Sequence, residues 1–239
     1  MSPPNTIFGG ALIGTSFTTP REVQELLDQL KTLQISHIDT AARYAPTNPG
    51  SSERLLGEVR AADQGFTIDT KISPGNSPTG DTSGTLAANA IAHSVSNSFD
   101  RLKTSKVNVL YFHFPDPQTP VAEQAGGFLT GLATRGEAQG TRFDPENKIF
   151  KGTNAMYDKA EMHAAVSDLL DTIEPLQITG HEACLRWIYY HSALREGDGV
   201  ILGASKISQI VQNVSDIAKG PLPEVVVMKV EELWEVLCS

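Results

Sequence analysis

A chain of 239 residues that is 40% hydrophobic and 20% charged holds enough apolar material for one substantial core, and it reads as a single domain over residues 1–239. Its net charge of -9 argues against a phosphate backbone or an anionic membrane surface as partner, so neither nucleic acid nor membrane is expected. The start MSPPNTIFGG has no basic stretch leading into an apolar core, and no window approaches the roughly 18 apolar residues of a membrane span, which predicts a cytoplasmic protein.

In chain order, IFGGALIG predicts a first strand. Thr19-Pro20-Arg21-Glu22 follows as a capping box with proline at the first helical position, and Val23, Leu26, Leu27, Leu30 and Leu33 keep the spacing of one buried helix face. ISHIDTA is a second strand, Ser52 to Val59 a short helix, and FTIDTKI a third strand. The stretch 74–84 reads as a loop, after which Leu86, Ile91, Val95, Phe99 and Leu102 sketch an amphipathic helix. VNVLYFHF is the fourth strand. From Val121 to Gln177 glycine, alanine and charge dominate and no buried strand is predicted. Order resumes with a helix around His181 to Leu194, a strand GVILGAS, a helix from Ile207 to Ala218 and a last one near Val225 to Leu237. Strands alternating with helices of this size predict βα units on a parallel sheet, open or closed into a barrel.

Four chemically distinct polar residues stand at or just beyond the ends of these strands: Asp39 and Tyr44 in HIDTAARY, Lys71 in TIDTKI and His113 in VNVLYFHF. The carboxyl end of a parallel strand faces the crevice where α/β folds bind ligands, so the four are expected to converge. A free phenol ionises near pH 10, too weak an acid for easy proton transfer at neutrality, and an adjacent ammonium would lower that value. Lys71 is expected to act on Tyr44 in this way, with Asp39 keeping Lys71 charged and oriented and His113 positioning a carbonyl oxygen. Spacing for metal ligands is absent: there is no HExxH, and the two cysteines, Cys184 and Cys238, form no CxxC. Both cysteines read as structural, as does His37. Arg43 reads as a solvated loop residue, and Trp187, Tyr189, Tyr190 and His191 as packing and surface groups on a helix.

Gly9-Gly10, HIDTAARY, SERLLGE, the strand-ending Lys71 and His113, AGGFLTG and GVILGAS-KISQIVQN resemble the aldo-keto reductase family, in its aflatoxin-aldehyde-reductase and aryl-alcohol-dehydrogenase branch. The resemblance implies a (β/α)8 barrel of TIM type that reduces a small-molecule aldehyde or ketone with NADP(H), with secondary-metabolite biosynthesis as the expected setting. It implies Tyr44 as proton donor, Lys71 and Asp39 as its tuners, and His113 as the catalytic and substrate-binding donor, with Asp39 also near the nicotinamide ribose. For the cofactor it implies Gly127 and Phe128 over the pyrophosphate, Gly203 at the last strand's end, Ser205 and Lys206 at the adenosine 2'-phosphate, and Gln209 and Asn213 facing the adenine. A helix start after Gly203-Ala204-Ser205 suits phosphate on physical grounds also, through its free N–H groups and dipole.

The match runs to about Pro120 and resumes at Ala125, so the barrel is expected to be incomplete. Residues 1–120 form its first half and 121–239 a shortened second half without strands five to seven, a deficit of about 80 to 90 residues at roughly 30 per βαβ unit. The family's Ser-Asn pair, glutamine and stacking tyrosine around the nicotinamide have no counterpart. Strand four is left as an edge, which the last strand or a homo-oligomer would have to cover. Two alternatives stand beside the reductase reading. One is a non-catalytic chain that binds partners through its acidic surface or sheet edge; the other is isomerisation or dehydration by Tyr44 and His113.

Overall fold

The structure is a computed structural model that describes residues 3–72, 88–113 and 159–238. The elements are β1 (Asn5–Gly9), a 3-10 turn at Gly10–Leu12, α1 (Pro20–Thr32), β2 (His37–Asp39), α2 (Ser51–Glu58), β3 (Thr67–Ile72), α3 (Ala88–Leu102), β4 (Leu110–Phe112), α4 (Ala160–Ile173), a 3-10 turn at Glu174–Leu176, α5 (Gly180–Tyr190), β5 (Gly199–Gly203), α6 (Ile207–Ile217) and α7 (Glu224–Cys238). The predicted loop over 74–84, together with Gly127 and Phe128, lies outside the described residues. No helix among the described residues is long and apolar enough to cross a membrane.

Chain contacts divide the molecule into two compact units, one of residues 4–120 with 196–212, the other of 1–3, 121–195 and 213–239. The first holds a five-stranded sheet in the order β4-β3-β2-β1-β5, with every pairing parallel. That is the order of the first four strands of a (β/α)8 barrel with the last strand beside the first, since a closed barrel brings its final strand back to strand one. β5 pairs with β1 from Asn5↔Gly199 to Gly9↔Gly203 and does not reach β4. Among the described residues β4 therefore remains an edge, and its Leu110 and Tyr111, with Val109 just before it, are exposed.

The elements form where residue chemistry dictates. Thr19 accepts from the Glu22 amide while Glu22 accepts from the Thr19 amide, with Pro20 opening α1, whose Val23, Leu26, Leu27 and Leu30 are fully buried. β1 stops at Gly9, sooner than the pattern predicts, because the chain turns at Gly10 to pass under β2. A Cβ on Gly10 would sit 2.8 Å from the Asp39 carbonyl oxygen, so only glycine allows the approach.

The described residues of the second unit are helical. Met162, Val166, Leu169, Leu170 and Ile173 of α4 pack with Ala183 of α5 and with Leu222, Val226, Val230 and Leu233 around α7. Its buried carboxylate is paired: Glu182 accepts from Arg186 and Lys219 at 2.7 Å each, and Arg186 also donates to the carbonyls of Gly220 and Pro221. α4 lies within 121–177, where the sequence predicts no buried strand, and its buried residues keep helical spacing.

Candidate active site

Alternation along the parallel strands sorts their side chains. His37 and Asp39 of β2, Asp69 and Lys71 of β3 and Tyr111 of β4 share one face, and Thr40 and Thr70 turn to the other, toward the helices. At the carboxyl end of the first face, Asp39 is 2% exposed and its two carboxylate oxygens are divided between two donors. The Tyr44 hydroxyl donates to Oδ2 at 2.8 Å, and the Lys71 ammonium donates to Oδ1. Lys71 Nζ also donates to the Thr40 carbonyl at 3.0 Å and sits 4.8 Å from the Tyr44 ring centroid. The His113 ring meets Tyr44 edge to face, with centroids 5.6 Å apart and an interplanar angle of 78°. The expected convergence of Asp39, Tyr44, Lys71 and His113 is the geometry found.

The electrostatics differ from expectation at Tyr44. Burial and then the charge and hydrogen bond of Asp39 hold the phenol far above its ordinary value of 10.0, where the sequence predicted that Lys71 would lower it. The physical reason is burial first and the partner second: the phenol bonds to the carboxylate directly, and Lys71 is tied to that same carboxylate. His113 moves the other way. Burial, followed by the cations of Lys71 and Arg43, brings it down to about 4, so its imidazole is neutral at working pH.

Below this layer Asp69 binds His37 Nε2 at 2.8 Å through Oδ2, and Oδ1 accepts from the Asn108 side chain at 2.9 Å and the Val109 amide at 3.0 Å. His37 is thus structural, as read, and Asp69 pins the start of the short edge strand that carries His113. Tyr111 was not anticipated. Its ring centroid lies 5.6 Å from Lys71 Nζ, across from Tyr44, and its position two residues before His113 on a strand was the available signal.

At the start of α6 the Ser205 amide, the Ser205 hydroxyl and the Lys206 amide all donate to Gln209 Oε1, at 2.8, 2.8 and 3.0 Å. Three donors focused on one acceptor oxygen, with the exposed Lys206 side chain beside them, fit a phosphate oxygen in chemistry. Gly203 ends β5 with open space where a Cβ would stand. Asn213 has a different environment: it is 5% exposed and its Oδ1 pairs with His181 Nε2 at 2.8 Å.

A parallel βα sheet carrying an aspartate, tyrosine, lysine and histidine cluster at its carboxyl end defines the class, and comparison with known proteins agrees. The Aldo/keto reductase family model matches residues 5–139, and the chain belongs to that family. An aldo-keto reductase of Pseudocercospora fijiensis is 39% identical over 122 residues, covering 47% of this chain and 40% of that protein. The aflatoxin B1 aldehyde reductase member 2 of Rattus norvegicus is 32% identical over 127 residues, covering 47% of this chain and 33% of its own. This chain thus spans less than half the length of either relative in those matches. The oxidoreductase sirO of Leptosphaeria maculans is 25% identical over 306 residues, 95% of this chain and 89% of that protein. Because 306 aligned positions hold 95% of a 239-residue chain, roughly 80 of them face no residue here, which is between two and three βα units of about 30 residues. Among solved structures, the holo form of an aldo-keto reductase from Bacillus halodurans superposes with a TM-score of 0.60 at 16% identity, over 98% of this chain and 96% of that one, and so shares the fold. The fold is that of the family's barrel, of which the described residues supply five strands.

Proposed function

We propose that this chain reduces an aldehyde or ketone to an alcohol with NADPH, and that Tyr44 delivers the proton. One observation carries the reading: the Asp39 carboxylate holds the Tyr44 hydroxyl and the Lys71 ammonium together beside the His113 ring. The reduced nicotinamide, when bound, supplies a hydride to the carbonyl carbon. The neutral His113 then positions the carbonyl oxygen by an N–H donor. The Tyr44 hydroxyl turns from Asp39 Oδ2 to that oxygen and gives up its proton as negative charge builds there. The phenolate left behind is stabilised by Lys71 and recovers its proton from solvent. Ser205 and Lys206 would hold the cofactor's 2'-phosphate, with Gln209 releasing their donors. Asp39 would lie near the ribose, with Gly203 close by, and Gly127 and Phe128 are proposed over the pyrophosphate. A cytoplasmic location and a role in secondary-metabolite biosynthesis belong to the same proposal.

The test is direct. NADPH should quench the intrinsic tryptophan fluorescence, and its absorbance should fall when an aromatic aldehyde is added. Tyr44→Phe should lower kcat by about 10²-fold or more, the scale of general-acid catalysis, while leaving NADPH affinity nearly unchanged. Equal turnover in that variant, or no NADPH binding by the parent, overturns the reading.

A further inference from the structure

The helix motif SERLLGE has no part in the proton chemistry, yet two of its residues are among the most buried polar groups of the first unit. Thr40, Ser52, Glu53 and Thr70 are each 0% exposed. Thr40 directly follows Asp39 and Thr70 directly precedes Lys71, and both threonines face away from the site toward α2. There the first turn of α2 takes hold of them. Ser52 Oγ gives its proton to the Gly10 carbonyl at 3.0 Å, so the 2.7 Å contact with Thr40 is one in which Thr40 donates. Thr70 Oγ1 donates to Glu53 Oε1 at 2.5 Å, and the other carboxylate oxygen of Glu53 accepts from Arg101 Nε of α3 at 2.7 Å. Arg101 in turn donates to Ser98, and α3 approaches α2 closely at Gly57, where a Cβ would lie 2.0 Å from the Arg101 carbonyl oxygen. Two adjacent residues thus tie down the ends of three strands, and the bonds to Thr40 and Thr70 land beside Asp39 and Lys71 of the acid cluster.

We propose that Ser52 and Glu53 are positioning residues that set the Asp39–Lys71 pair through Thr40 and Thr70. The inference rests on reading Asp39, Tyr44 and Lys71 as the proton-transfer site. A buried charge is a costly way to fasten a helix to a sheet, because an apolar contact of the same volume fastens it as well. What the carboxylate adds is direction: it fixes Thr70 to within a hydrogen-bond length, and so fixes the strand residue from which Lys71 reaches Asp39. Small displacements of such groups are expensive, about 10²-fold in rate for 1 Å.

The experiment compares Thr70→Val, which removes the hydroxyl at constant shape, with Thr70→Ser, which keeps it, and with Ser52→Ala on the Asp39 side. The first readout needs no turnover: alkaline difference titration of phenolate absorbance, with the Tyr44 contribution isolated by subtracting the same protein carrying Tyr44→Phe. In the parent, burial and the contact with Asp39 should together keep Tyr44 silent up to the pH at which the chain unfolds. Thr70→Val and Ser52→Ala should each bring a Tyr44 step down toward the ordinary phenol value of about 10, and Thr70→Ser should restore silence. The second readout is kcat for aldehyde reduction, expected to fall about tenfold in Thr70→Val with the NADPH dissociation constant unchanged, and to recover in Thr70→Ser. The proposal is overturned if Thr70→Val loses melting temperature alone while Tyr44 stays silent, or if Thr70→Ser behaves as Thr70→Val does. Should Thr70→Val fail to fold, Ser52→Ala decides by the same titration. A parent without reductase activity sinks the proposed function only, since the titration still tests the clamp.

Discussion

The Tyr44 hydroxyl donates its proton to Asp39 Oδ2 across 2.8 Å, so the group best placed to protonate a substrate is hydrogen-bonded to an anion in the ligand-free geometry. Replacing that anion separates its two effects. Asp39→Asn should let Tyr44 ionise closer to its ordinary value while depriving Lys71 of its ion pair. Carbonyl reduction should then fall by about 10²-fold, within the range of a lost general acid–base group. Steady-state kinetics combined with phenolate titration checks both effects, and a rate that rises in the variant would show that the carboxylate only restrains the acid.

His113 is held down to about 4 from 6.5 by burial and by the neighbouring cations. The unfolded chain therefore binds the proton more tightly than the folded one, and stability is present above pH 6.5 and lost progressively as pH falls toward 4. Urea midpoints measured across that window should decline, and His113→Gln should flatten the decline. In NMR spectra the His113 ring should not titrate between roughly pH 5 and 8, a span in which an ordinary imidazole does.

Glu53 and Arg21 both form ion pairs with very different surroundings. Arg21 and Glu25 are 88% and 53% exposed, whereas Glu53 is 0% exposed against an Arg101 at 29%. Glu53→Ala should cost about 3 kcal/mol, because it strands Arg101 and the Thr70 hydroxyl. Arg21→Ala should cost less than about 0.5 kcal/mol. Chemical denaturation of both variants gives the comparison, and near-equal losses would refute the reading of the buried pair.

Gly57 is where α2 and α3 touch, and the 2.0 Å that a Cβ would leave to the Arg101 carbonyl oxygen cannot be relieved by turning a side chain. Gly57→Ala should destabilise by about 1–3 kcal/mol despite alanine's better helix propensity. A rise in melting temperature would mean that the helices can part without penalty.

At the start of α6, Gln209→Glu would place a carboxylate where three donors now meet a neutral amide oxygen. Binding of adenosine 2',5'-bisphosphate, followed by calorimetry, should be lost in Gln209→Glu and weakened in Lys206→Ala. Unchanged affinity in both would remove Ser205 and Lys206 from the proposed phosphate contacts.

Much of this was legible from residue order. Thr19, Pro20 and Glu22 announce α1, and polar residues closing apolar runs place Asp39, Lys71 and His113 at strand ends, since a parallel strand exposes only its last side chains to the crevice. Less legible was which partner Tyr44 would choose. A hydroxyl bonds to whatever acceptor the folded loop presents, and that is fixed by the turn at Ala41 and Tyr44, not by the spacing to Lys71. Glu53 was hidden for another reason: glutamate in an amphipathic helix is ordinarily solvated, so its full burial is visible only once Thr70 and Arg101 surround it. α4 was the avoidable miss. Met162, Val166, Leu169, Leu170 and Ile173 repeat at helical intervals inside a segment judged by its glycine and charge.

The neighbour of β1 on its outer side is β5, and the two are the first and last of the described strands in chain order. At ribosomal rates of about 5–20 residues per second, β1 waits roughly 10 to 40 s for Gly199–Gly203 to emerge. Throughout that interval the open backbone of Asn5–Gly9 can template pairing with another nascent chain, so the yield of folded protein should depend on chaperone capacity and translation speed more steeply than its finished stability would suggest.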